Sequence, residues 1–286
     1  MPASAEARIG GRTRLAGVIG WPVEHSLSPA IHNAAYAAAG LDWVYVPLPV
    51  APDRLPAALQ GLAALGFVGV NLTMPHKTEA AGLVARLSED ASLLRAVNTI
   101  HVVGDEPEGH NTDVGGFDRF LRRDAGFDPT GRSALLFGAG GAARACALAL
   151  ARAALGRLTV VARNEATTAR LRRLAGEVGL ELEVIGSDGA GGRRFDLVVN
   201  ATPVGTDADP EHRSLPDLDP DVLVVDLLYD PPDTDLQRRA RGAGATVFGG
   251  IGHLVEQAAL AFELWTGTPA PLEAMSAAAL TGLAGR

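Results

Sequence analysis

Three short polar clusters combine residue types that do acid–base and binding chemistry. Lys77 follows Asn71 and Thr73 in Val70-Asn71-Leu72-Thr73-Met74-Pro75-His76-Lys77. Asp113 closes Asn111-Thr112-Asp113, and Ser26 and Ser28 flank Leu27 in His25-Ser26-Leu27-Ser28-Pro29. An amine and a carboxylate can hold and move a proton once their pKa values are tuned toward the working pH. Hydroxyls and amides supply the directional hydrogen bonds that fix a polar ligand. Asn71 and Thr73 sit two apart at the end of an apolar run, so on a strand both side chains face one way. Pro75 suits the first position of a following helix, which puts Lys77 in its first turn. There the dipole disfavours a cation and helps lower its pKa. Each residue also has an ordinary explanation: an exposed lysine, a helix cap at Ser28, another cap at Asp113. Capping leaves Ser26 unexplained.

A fourth cluster is built of small residues. Leu135-Leu136-Phe137-Gly138-Ala139-Gly140-Gly141-Ala142-Ala143 reads as a strand entering G-x-G-x-x-A and then a helix. Gly138 permits the tight turn, Gly140 lets the backbone approach a pyrophosphate, and Ala143 lets the helix sit close to its sheet. The phosphates then meet free N–H groups at the positive end of the helix. The next strand ends Val160-Val161-Ala162-Arg163-Asn164-Glu165. An acid at that place binds ribose hydroxyls, whereas an arginine pairs with a 2′-phosphate. Arg163 comes first and favours NADP; Glu165, two residues on, keeps NAD open.

The elements that must carry these clusters alternate between strand and helix, which implies parallel sheets with right-handed crossovers. In the first half the strands are Leu15–Ile19, Trp43–Leu48, Phe67–Leu72 and Val97–Val103. Helices are expected at Pro29–Ala39 and Asp53–Leu65, then from Met74-Pro75 to about Leu87, with Gly104–Gly109 as a polar turn. A helix over Val114–Arg123 leads to a linker at Gly126–Gly131. A second alternation follows, with strands at Ala134–Phe137, Leu158–Ala162, Leu182–Ile185, Leu197–Asn200, Val222–Leu228 and Thr246–Phe248. Its helices are Gly141–Ala153, Ala166–Val178 and Thr234–Arg241, and Asp209–Asp219 is an acidic loop. In the closing helix, Leu254, Ala258, Phe262 and Trp265 form one buried stripe.

The 286 residues suffice for two modest domains, and the formal charge of −8 argues against nucleic acid or an anionic membrane as partner. The arginine pairs at 172–173 and 193–194 read as solvated. Cys146, the single cysteine, reads as a small core thiol, and seven histidines without ligand spacing predict no metal. Met1–Arg14 reads as a short disordered extension rather than a signal peptide. With no membrane-length apolar run, the expectation is a cytoplasmic protein, monomer or homodimer, acting on a small molecule.

These stretches, together with Ala96-Val97-Asn98-Thr99, Asn200-Ala201-Thr202, and Gly250–Gly267 with its Gln257-Ala258-Ala259 and Trp265-Thr266-Gly267, resemble the shikimate dehydrogenase family from about Leu15 to Leu283. The resemblance implies an α/β protein of two domains. Residues 1–113 with 251–286 would form a substrate domain on a mainly parallel sheet, with the C-terminal helices packing back on it. Residues 114–250 would form a Rossmann-type NADP domain. It implies Lys77 and Asp113 as the catalytic pair, with Ser26, Ser28 and Tyr229 around the substrate carboxylate. Asn71, Asn98, Asp113 and Gln257 would hold ring hydroxyls, and Thr73 belongs to the same shell. Around the cofactor it implies Gly138, Ala139, Gly140, Gly141, Ala142, Arg163, Asn164, Thr202, Gly250 and His253.

Three positions depart from the family pattern. Ala162 stands where NADP-specific members commonly have asparagine, and Thr167 where a second phosphate-binding arginine is often found. His253 replaces a methionine common near the nicotinamide. The rival readings are a quinate or quinate/shikimate dehydrogenase using NAD, a dehydrogenase of a close analogue such as aminoshikimate, and a non-catalytic shikimate sensor. Ser28 leans toward shikimate, because quinate-type relatives often carry threonine there; intact Lys77 and Asp113 argue against the sensor.

Overall fold

The computed structural model describes residues 9–205, 214–231 and 233–285. The chain forms two compact units, Met1–Thr112 with Gln257–Arg286, and Asp113–Glu256.

The first unit opens with β1 (Arg14–Gly20), α1 (Ser28–Ala38), β2 (Trp43–Pro49), α2 (Leu55–Ala64) and β3 (Phe67–Leu72). It continues with α3 (Lys77–Ala80), β4 (Arg86–Leu87), α4 (Glu89–Leu94), β5 (Thr99–Val103) and β6 (Glu106–His110). The six strands lie in the order β2-β1-β3-β5-β6-β4. The sheet is mixed: β1 runs parallel to β2 and β3, whereas β5 is antiparallel to both β3 and β6. Five consecutive residues of β1 are buried, as expected for a central strand covered on both faces.

Two expectations fail here. The helix expected to reach Leu87 is a four-residue turn, α3, followed by β4 and a new helix. The apolar spacing of Ala80, Ala81 and Val84 mimics a helical period. The chain instead makes the short strand β4 at Arg86–Leu87, and Ser88 directly after it caps α4 by accepting the Ala91 N–H at 3.3 Å. The polar turn at Gly104–Gly109 is only Gly104-Asp105; Glu106–His110 is the return strand of a hairpin in which Val103 pairs with Glu106.

The boundary falls within the first turn of α5 (Thr112–Arg119), so the second unit takes up that helix from Asp113, and it continues as a π-helical turn over Phe120–Asp124. Then come β7 (Ser133–Phe137), α6 (Gly141–Arg152), β8 (Arg157–Val161), α7 (Glu165–Val178) and β9 (Leu182–Ile185). The unit ends with β10 (Leu197–Asn200), β11 (Leu223–Asp226), α8 (Asp235–Gly242) and β12 (Thr246–Phe248). Its strand order, β12-β11-β10-β7-β8-β9, with every pair parallel, is that of a dinucleotide-binding sheet. The order reverses between β7 and β10, where such sheets open a crevice at the strands' carboxyl ends. Every residue of β10 and β11 is buried, and each strand is three apolar residues closed by one polar residue, Asn200 or Asp226. Cys146 is fully buried on α6, and burial pushes its thiol up, as expected of a core residue. The arginine pairs are engaged rather than merely solvated: Arg172 with Glu165, Arg173 with Glu177, Arg193 with Glu183, Arg194 with Asp219.

The chain then forms α9 (Ile251–Thr266) and α10 (Leu272–Ala284). Ala258, Phe262 and Trp265 are buried as a stripe, while Leu254 is half-buried. The Trp265 indole donates to the Ile100 carbonyl at 2.9 Å, and α10 packs on α1. Met1–Arg8 and part of the Asp209–Asp219 loop lie outside the described residues; Arg14 already belongs to β1.

Candidate functional site

The second unit holds a cleft of about 370 Å³ at its topological switch point. Gly138, Ala139 and Gly140 line one wall, Arg163, Asn164 and Thr167 another, and Ala201, Thr202 and Pro203 a third. Gly138 has φ +107, and a Cβ there would lie 2.9 Å from the Thr202 Cγ2 and 3.0 Å from the Ala201 carbonyl oxygen. Both conformation and space demand glycine. No atom lies within 4 Å of a Cβ built on Gly140 or Gly141, so their backbone is open to a ligand. Gly140 starts α6 without a side-chain cap, and Gly141 and Ala142 are exposed in its first turn. Ala143 is fully buried, as the close packing of helix on sheet requires. These features fit a dinucleotide pyrophosphate.

Arg163 is exposed at the cleft edge, and Thr167, the residue standing in place of a second arginine, also lines it. Asn164 has structural work as well: its Oδ1 accepts the Thr167 N–H at 3.0 Å, capping α7. The Thr202 hydroxyl donates to Asn200 Oδ1 at 2.6 Å, and Asn200 Nδ2 donates to Val204 O and to Asp226 Oδ1, both at 2.9 Å. Asp226 also accepts the Thr234 hydroxyl at 2.6 Å. Burial raises its carboxyl above the usual range, against the lowering effect of these bonds. Asp226 thus anchors the loop that carries Thr202, a role missed in the sequence although an acid inside the apolar run Val222–Leu228 was its signal. Ser187 and Ser214 also line the cleft and carried no sequence signal.

Gly250 sits where a Cβ would lie 2.1 Å from the Leu227 carbonyl oxygen, so it is required by contact within the protein before any cofactor is considered. His253 Nε2 lies 3.2 Å from the Asp113 carbonyl oxygen, and Asp113 is 6% exposed in the first turn of α5. Tyr229 is half-buried in the loop after β11.

In the first unit the polar residues gather at the carboxyl ends of β1 and β3 and the start of β5. The serine assignment reverses. Leu27 occupies the cap position of α1 and Ser28 lies within the helix, while Ser26 Oγ accepts the Ser28 N–H at 3.2 Å. Ser26, not Ser28, does the capping work. Thr73 follows β3, its N–H donating to Ile19 O at 2.9 Å. Lys77 is half-buried and opens α3, and its carbonyl accepts the Val97 N–H at 2.8 Å. Four residues build far less dipole than the long helix expected here. Lys77 is instead set by its neighbours: buried His76 bonds the Val50 carbonyl at 2.8 Å through Nε2. Asn71 and Asn98 are buried in one hydrogen-bond net, joined through Thr99. Gln257 is half-buried on α9. Lys77 belongs to the first unit and Asp113 to the second. Among the described residues no cluster of histidine, cysteine or carboxylate groups could hold a metal, and no helix is long and apolar enough to cross a membrane.

An all-parallel sheet of this order, with an open glycine turn and an arginine at the next strand's end, defines a dinucleotide-binding protein of the Rossmann type. Comparison with known proteins narrows the class. The shikimate dehydrogenase substrate binding domain matches residues 18–100, and the shikimate 5'-dehydrogenase C-terminal domain matches residues 250–280. The shikimate dehydrogenase (NADP(+)) of Methanopyrus kandleri is 44% identical over 98% of this chain and 99% of its own. A crystal structure of shikimate dehydrogenase in complex with NADP+ superposes with a TM-score of 0.89 at 35% identity, covering 96% of this chain and 98% of the other. A quinate dehydrogenase from Corynebacterium glutamicum in complex with NAD gives 0.85 at 32% identity over 94% and 99%. The chain belongs to the shikimate dehydrogenase family.

Proposed function

We propose that this protein catalyses the reversible, NADP-dependent reduction of 3-dehydroshikimate to shikimate. The observation that carries the reading is the 44% identity to a shikimate dehydrogenase (NADP(+)) along essentially the whole of both chains. The fold is shared with a quinate dehydrogenase, so fold alone does not choose the substrate; Ser28 is the residue that leans toward shikimate.

Bound NADP supplies or accepts the hydride at C4 of its nicotinamide. The free N–H groups from Gly140 to Ala142 hold the pyrophosphate, and Arg163 pairs with the 2′-phosphate. Lys77 stabilises the charge that builds on the substrate's ketone oxygen, or protonates it, and Asp113 orients the substrate and couples to the proton transfer. Ser26, Ser28 and Tyr229 hold the carboxylate; Asn98 and Gln257 hold ring hydroxyls, with Thr73 beside them. Residues 1–113 with 251–286 act as the substrate domain and residues 114–250 as the cofactor domain, in a cytoplasmic monomer or homodimer. Absorbance at the nicotinamide band, with shikimate or quinate against NADP+ or NAD+, tests the reading. The expected result is turnover fastest with shikimate and NADP+; a preference for quinate with NAD+ refutes it, as does silence in all four combinations.

A further inference from the structure

Building on that function, we propose that Asn71 is the keystone of a buried hydrogen-bond net rather than a ligand of the substrate, and that Tyr45 and Thr99 are the positioning residues that hold it.

Asn71 is 6% exposed, and its amide is fully engaged inside the protein. Its Oδ1 accepts the Tyr45 hydroxyl at 2.7 Å, and its Nδ2 donates to Thr99 Oγ1 at 2.9 Å and to the Asn98 carbonyl at 3.3 Å. An amide has two N–H donors, and both are used here. The orientation is fixed as well. Rotating the amide by half a turn would aim its oxygen at the Asn98 carbonyl, which can only accept, so the Nδ2 must face that way.

The net reaches both ends of the proposed chemistry. The Thr99 hydroxyl in turn donates a hydrogen bond to Asn98 Oδ1 at 3.0 Å. Asn98 Oδ1 accepts the Thr112 N–H at 2.7 Å, and Asn98 Nδ2 donates to Thr112 Oγ1 at 3.0 Å. Asn71 lies two residues before Thr73 and six before Lys77, and Thr112 immediately precedes Asp113. Tyr45 holds the other end of the Asn71 amide. Its ring is clamped by a parallel stack on His32, centroids 4.3 Å apart. Losing one hydroxyl leaves buried partners unsatisfied and loosens the segments that lead into Lys77 and Asp113. Such loosening lowers turnover at saturation. Loss of a direct substrate contact would instead weaken binding.

The test uses Tyr45→Phe and Thr99→Val, each close in shape to the original, with Thr99→Ser restoring the hydroxyl. The expected result is kcat lowered about tenfold in the first two with KM for shikimate changed less than about twofold, and recovery in Thr99→Ser. In the ligand-free parent, the Asn71 side-chain amide is expected to resist hydrogen exchange by NMR, with no added protection at saturating shikimate. KM raised at unchanged kcat in both variants overturns the inference. So does an amide that exchanges freely until shikimate binds. A parent that fails to oxidise shikimate refutes the functional reading alone, because amide protection still decides where Asn71 spends its donors.

Discussion

His253 Nε2 stands 3.2 Å from the Asp113 carbonyl oxygen, so a ring on α9 fastens the first turn of α5. The same ring meets Phe117 edge-on at 5.9 Å. The family resemblance puts this position beside the nicotinamide; the geometry gives one ring nitrogen a structural task. His253→Met should therefore lose about 1 kcal/mol of stability, a fall in Tm of a few degrees. Turnover should fall several-fold, with NADP affinity nearly unchanged. Melting curves and steady-state rates check this, and an unaltered Tm would remove the tether.

Under the proposed mechanism, Lys77→Ala should cut turnover by orders of magnitude while NADP still binds, because the charge building on the reacting oxygen loses its partner and the glycine turn is left untouched. Single-turnover kinetics beside a fluorescence titration of NADPH separate the two effects. Near-normal turnover would end the role given to Lys77.

Arg163→Ala should weaken NADP by roughly ten- to a hundredfold, about 1.5–3 kcal/mol, and leave NAD affinity untouched. Ala162 and Thr167 line the cleft in place of asparagine and arginine, so under the proposed function Arg163 is expected to carry most of the discrimination. Equal loss for both cofactors would show that it shapes the loop instead.

Gly138→Ala should be costly twice over. At φ +107 an L side chain is strained, and its Cβ would stand 2.9 Å from Thr202. The expected result is NADP affinity down more than about tenfold and stability down about 1–3 kcal/mol, read by calorimetry and melting. Wild-type affinity would mean that the turn relaxes freely.

Burial pushes the His32 imidazole down from 6.5 to about 3. Between these values the unfolded chain takes up a proton that the folded protein refuses, so stability falls as pH drops below the ordinary histidine range. By pH 5 this one group should cost about 2 kcal/mol relative to pH 8. His32→Phe, which keeps a ring against Tyr45, should flatten the denaturation midpoint over that range. An equally steep profile in the variant would assign the effect to other groups.

The Rossmann unit was largely legible in the sequence because its central strands are buried and read as mostly apolar runs, and its edge strands are short β-branched or apolar stretches between turn signals. Leu182–Ile185, Leu197–Asn200 and Thr246–Phe248 match the structure end to end. Legibility failed where one face is wet or the signal is local. Glu106–His110 is a strand made of turn-like residues, held by its partner β5 rather than by its own composition. The residues of the candidate site were visible as types, but their partners were not. Asn71 meets Tyr45 and Thr99 at separations of 26 and 28 residues, a distance over which pattern carries no pairing information. The glycine turn is the contrary case, since its constraint is local and sits on the backbone itself.

The first unit is closed by residues from Gln257 onward, after the chain has built another unit in between. On the ribosome this order matters. The sheet whose strand β3 leads into Lys77 emerges early but must wait for Trp265 to reach the Ile100 carbonyl and for α10 to cover α1. The intervening Rossmann unit, contiguous in sequence, can fold while that face is still bare. The order of the chain thus implies that a nascent protein can complete its second unit while the first is still a half-roofed sheet.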